Sequence, residues 1–157
     1  SVTGNVYGYE VGAVSEDGLQ GFTGIASGAS VSAAPATGSA TMNGRFEVAI
    51  IQGVSTDGTR VSGSTGIDSG SLTLVADFDN GTLTGSATGA DAGSLNPYLR
   101  NNQLEIDGRF DGSELSGTAT YDGVSGPLRG LVGGNEAIGA FHGHTDTKVH
   151  AGGFIVN

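Results

Sequence analysis

No cysteine occurs among the 157 residues, so neither a disulfide framework nor thiolate chemistry is available, and either redox compartment fits. Basic residues are nearly as scarce. Lys148 is the sole lysine, and the five arginines (Arg45, Arg60, Arg100, Arg109 and Arg129) are scattered along the chain. Sixteen acidic residues oppose them, for a net charge of -10 and a pI near 4.3. Such a surface repels phosphate backbones and anionic membranes, which excludes nucleic acid and leaves a cationic protein, a peptide or a metal ion as compatible partners. No run approaches the roughly 18 consecutive apolar residues of a membrane helix. The start, Ser1-Val2-Thr3-Gly4, has neither the basic nor the apolar region of a signal peptide, so the chain reads as soluble and already processed. Helical periodicity is missing too: no window carries an apolar stripe at i, i+3 and i+4 with caps.

What the chain has is glycine, 30 residues of it, set into segments that alternate apolar with polar. Leu72, Leu74, Ala76 and Phe78 share one face of a strand that ends at Asp79-Asn80-Gly81. Asn-Gly offers the positive-φ pair of a tight hairpin, returning the chain through Leu83, Gly85 and Ala87. The same grammar recurs from Leu104 to Tyr121 around Asp111-Gly112. It places Leu104, Ile106, Phe110, Leu115, Ala119 and Tyr121 inside and Glu105, Asp107, Arg109, Ser116, Thr118 and Thr120 outside.

Residues 38–51 read as one long strand, or two broken by a glycine bend, answered by 59–67. Residues 5–14 and 19–25 read as a hairpin around Glu16-Asp17-Gly18, and 26–37 as a linker or strap. About eight strands beyond Gly38, mostly in consecutive hairpins, favour an all-β, eight-stranded, antiparallel up-and-down barrel over a sandwich. Small inward residues interleaved with Phe and Leu suit the narrow interior of such a barrel. The expected division is an N-terminal hairpin and strap over 1–33, packed on a barrel over 34–157.

Candidate chemistry is sparse. His142, His144 and His150 fall close together, with Asp146 between them; on a strand His142 and His144 share a face about 7 Å apart, a spacing that can share a divalent metal or flank a haem. The alternative is a polar loop joining the last two strands. Asp77, Asp79 and Asn80 lack the terminal glutamate of a calcium loop. The glycine runs have no lysine or strand-to-helix context for phosphate. No Gly-x-Ser-x-Gly elbow occurs, and no histidine stands apart from the terminal cluster, so the chain reads as non-enzymatic. Tyr7 and Tyr9 share a face of the N-terminal hairpin, where aromatics either cover the barrel or meet a partner. Tyr98 and Arg100, in the polar connection 94–102 with its Asn96-Pro97, form another candidate contact site.

Several motifs taken in order resemble the β-barrel domain of transferrin-binding protein B and its relatives. They are Ala34 to Gly44, the Asp77 to Gly85 hairpin, Gly117-Thr118-Ala119, the glycine-flanked Asn135-Glu136-Ala137 within Gly130 to Phe141, and Ala151-Gly152-Gly153-Phe154. Asn5 to Gly28 resembles the segment preceding the barrel. The resemblance implies an eight-stranded barrel without catalysis, Gram-negative origin, and placement at the outer membrane surface, as a lipoprotein, or secretion. It also implies iron-related binding work, with a protein partner or small ligand met through the loops. Haem or a divalent metal on the terminal histidines is the alternative, and a purely structural carrier domain a second one. The large amino-terminal handle and the lipid-bearing cysteine of that family are not in this sequence, so the resemblance carries fold and general role only.

Overall fold

The computed structural model describes residues 6–15, 18–25, 28–57, 60–88 and 102–157. Its strands are β1 (Val6–Ser15), β2 (Gly18–Ile25), β3 (Ser39–Asp57), β4 (Arg60–Asp77), β5 (Thr82–Thr88), β6 (Gln103–Asp111), β7 (Glu114–Tyr121), β8 (Val124–Val132), β9 (Ala137–His144) and β10 (Lys148–Val156). Strands β3 to β10 close into one antiparallel barrel, and β10 pairs with both β9 and β3 to complete the ring. The sequence predicts this class, and its two-residue phase predicts the core. Met42, Phe46, Val48, Leu72, Leu74, Leu83, Leu104, Ile106, Leu115, Leu128, Phe141 and Phe154 all point inward and are buried. Each such side chain contributes about 1.5–3 kcal/mol by leaving water.

Strand β4 starts within the expected 59–67 segment and runs on through the Leu72 strand, which the alternation suggested was separate, because one unbroken inward phase runs from Asp68 through Gly70, Leu72 and Leu74 to Ala76. At Asp79-Asn80-Gly81 the chain does reverse, yet only Gly81 takes positive φ (64°). Asn80 is held instead by Asp77, whose carboxylate accepts its backbone N–H at 3.1 Å and its side-chain Nδ2–H at 2.7 Å. This lengthens the loop to four residues between the paired Asp77 and Thr82.

Strands β1 and β2 form a separate two-stranded sheet. It lies against the outer face of β9 and β10, which is why Ile138, Ala140, Val149 and Ala151 are buried although they point away from the barrel interior. From β2 the chain crosses to the barrel end that holds the β8–β9 turn. There Ser32 N–H donates to Glu136 Oε1 at 2.6 Å, and Gly134 N–H donates to Ser32 Oγ at 3.1 Å. A Cβ on Gly133 would press against Ser32 Oγ and O, at 2.8 and 2.9 Å. The glycine-flanked Asn135-Glu136 motif is thus the seat of the strap, with Glu136 only 1% exposed.

Candidate functional site

Antiparallel alternation sorts the connections between two rims. One rim carries the β4–β5, β6–β7 and β8–β9 turns with the strap. The other carries the β3–β4, β7–β8 and β9–β10 turns, and strands β5 and β6 also end and begin there. Every sequence-derived candidate in the second half of the chain belongs to this second rim or to the segment that leaves it. Tyr98 and Arg100 lie outside the described residues, in the connection from Thr88 to Asn102.

The terminal histidines separate. On β9, Phe141 points inward, so His142 and His144 face outward. On β10, Phe154 and Val156 point inward, and His150 shares their phase. His150 is 3% exposed and sits opposite Gly143, where a Cβ would come within 2.6 Å of its Cε1. Its ring meets Tyr121 edge-on at 5.5 Å and Phe141 at 6.0 Å, and its Nε2 has no hydrogen-bond partner among the described residues. Burial pushes the His150 pKa down to about 4; the neighbouring His142 adds to the shift and Asp122 opposes it. The cavity beside it measures about 10 Å³, the room of about one water, so haem has no place there.

Outside, Thr23 Oγ1 and His142 Nδ1 are hydrogen-bonded at 3.0 Å, tying β2 to β9. Burial, and then His144, hold the His142 pKa below the usual histidine range. His144 and Asp146 are exposed, and no group of three His, Asp or Glu side chains converges among the described residues. Lys148 Nζ and Asp122 Oδ2 form an ion pair at 2.9 Å on the rim.

Beneath the rim lies a constellation that the sequence reading missed. The Tyr121 hydroxyl donates to Asp68 Oδ2 at 2.6 Å and accepts from Asn102 Nδ2 at 2.9 Å. All three residues are buried. Asp68 could have been found from phase, because it falls two residues before Gly70 on the inward face of β4.

On the outer wall, β3 and β4 outreach their neighbour. Pairing between β10 and β3 ends at Lys148 and Gln52, whereas β3 and β4 stay paired to Asp57 and Arg60. Near the base of this ribbon Ile67 is 64% exposed, paired across to Ala49. Ala49 also lines a shallow groove of about 620 Å³ whose other walls include Arg45, Glu47, Ser69, Ala151 and Ile155. Tyr7 and Tyr9 lie on β1, paired with Gly24 and Phe22 of β2.

Several solved structures resemble this fold over 78% to 100% of the chain. A double variant of transferrin-binding protein B from Haemophilus parasuis Hp5 matches with a TM-score of 0.55 and 14% identity, covering 100% of this chain and 37% of its own. A single variant of that protein covers 78% of this chain and 26% of its own, with TM-score 0.50 and 18% identity. A surface lipoprotein covers 97% and 76%, with TM-score 0.51 and 16% identity. The chain therefore has a transferrin-binding protein B-like β-barrel fold and spans 26% to 37% of the length of those two transferrin-binding protein B structures. No family model and no curated protein matches the sequence.

Proposed function

We propose that this barrel is a non-enzymatic binding module, displayed on the surface of a Gram-negative bacterium, that captures a protein partner through the rim of the β3–β4 ribbon and the adjoining outer wall. The observation that carries this reading is the exposure of Ile67. Among the residues whose side chains are described, the one other exposed large apolar side chain is Val75, at 43%. Ile67 stands beside a groove and at the foot of a ribbon that projects past β10 by the length from Gly53 to Asp57, about 16 Å at strand rise. In a protein contact the buried centre is apolar and the rim polar, and Ile67 with the adjoining groove would supply that centre and rim. The likeness to proteins named for transferrin binding and to a surface lipoprotein supports both the role and the location. The β5–β6 connection, with Tyr98 and Arg100, leaves from the same rim and is assigned to the same contact.

The test is affinity capture with the immobilised chain from serum and from bacterial envelope extract, at low and high salt. Ile67→Asp and a Tyr98→Ala/Arg100→Ala pair serve as variants. A saturable partner weakened at least tenfold by Ile67→Asp supports the reading. An empty capture, or one indifferent to all the substitutions, refutes it in favour of a structural carrier.

A further inference from the structure

We infer that His142 and His144 form a two-imidazole site for a divalent transition metal, with Cu(II) the best-fitting ion, on the outer face of β9. Residues two apart on one strand project from the same face about 7 Å apart at their Cα atoms, and Gly143 between them turns inward to make room for His150. Both imidazoles therefore stand side by side on the barrel wall. Metal-ligating histidines ordinarily bind through one nitrogen while the other is held by a neighbouring group, which fixes ring orientation. His142 has that arrangement: Nδ1 is engaged by Thr23 Oγ1 at 3.0 Å, leaving Nε2 as the ligating atom. A metal at Nε2 selects the tautomer in which Nδ1–H donates to the threonine hydroxyl.

The choice of ion follows from the ligand count. No third His, Asp or Glu converges on the pair among the described residues. Zinc sites normally use three or four protein ligands. Copper(II) heads the divalent affinity order, favours imidazole and tolerates a tetragonal shell, so two cis imidazoles with water in the remaining positions suffice. His150 takes no part, because it lies on the other side of the barrel wall.

The test is titration of the chain with Cu(II) at pH 7.5 in a non-coordinating buffer, followed by calorimetry and by electron paramagnetic resonance. One equivalent should bind with a tetragonal signal showing two imidazole nitrogens. His144→Ala, at an exposed position that leaves packing intact, should lower affinity by at least tenfold. His142→Ala should do the same with the fold checked by circular dichroism, while His150→Phe should leave binding unchanged. Absence of stoichiometric binding, a signal without imidazole nitrogens, or full binding by the His142→Ala/His144→Ala chain would overturn the assignment.

Discussion

Tyr121 and Asp68 are joined across the barrel interior by a 2.6 Å hydrogen bond from the phenol to the carboxylate, and the phenol oxygen itself accepts from Asn102 Nδ2. One hydroxyl thereby links β4, β7 and the residue preceding β6. Burial, and next the bond to Asp68, push the Tyr121 pKa far upward. Tyr121→Phe keeps the ring packed on His150 but removes the donor to a buried carboxylate. It should cost about 1–3 kcal/mol in urea denaturation. In an absorbance titration to pH 12, the native chain and the variant should show the same number of ionising tyrosines, since Tyr121 stays protonated in the fold. One fewer in the variant would show that Tyr121 titrates.

Acid should loosen the barrel through His150. Its folded pKa, about 4, is below the ordinary 6.5. The unfolded chain therefore takes up a proton first, and stability present above pH 6.5 falls as pH drops toward 4. The loss is roughly 3 kcal/mol at most, at about 1.4 kcal/mol per unit. His142, shifted the same way, adds to it. Thermal midpoints measured from pH 7.5 to 4 should fall more gently in His150→Phe than in the native chain. Parallel slopes would reject His150 as the source.

The strap depends on Glu136. Replacing it with alanine removes the acceptor for Ser32 N–H and leaves that donor without its partner, so a loss of about 1–3 kcal/mol is expected. Hydrogen exchange should report the position directly: Ser32 amide protection should collapse in Glu136→Ala and persist in Glu136→Gln, which retains a carbonyl oxygen. Equal protection in both variants would contradict the role.

Gly126 is a matter of space. A Cβ there would overlap the backbone carbonyl of His142 on the neighbouring strand, and a backbone group cannot swing aside as a side chain can. Gly126→Ala should therefore cost more than about 3 kcal/mol, or prevent folding, whereas Gly24→Ala, with nothing near its Cβ, should be tolerated. Chemical denaturation of the pair decides the point.

Alternation made the barrel legible because a side chain on a strand has two directions only. Leu72 to Phe78 and Leu104 to Tyr121 declared their inward faces by composition, and all of the inward residues named there are buried except Phe110, which is partly buried and packs edge-on against Phe78 at 5.8 Å. The histidines were harder, since proximity in sequence says nothing of which wall face each strand presents. Anchoring β9 on Phe141 and β10 on Phe154 would have separated His150 from the other two. Glu136 gave no local sign of its task, because its partner Ser32 lies 104 residues away in a stretch of small residues without periodicity. Ile67 was hidden by the merging of two segments into β4.

Ring closure joins Val156 to Gly44, partners more than a hundred residues apart in the chain. Until β10, a strand of nine residues that follows all the other barrel strands, has been synthesised, β3 and β9 are both bare edges, and the intermediate can pair with any passing strand. Closure of so distant a contact is slow. Whatever handles the chain before it folds must therefore keep those two edges apart from other polypeptides until the last strand arrives.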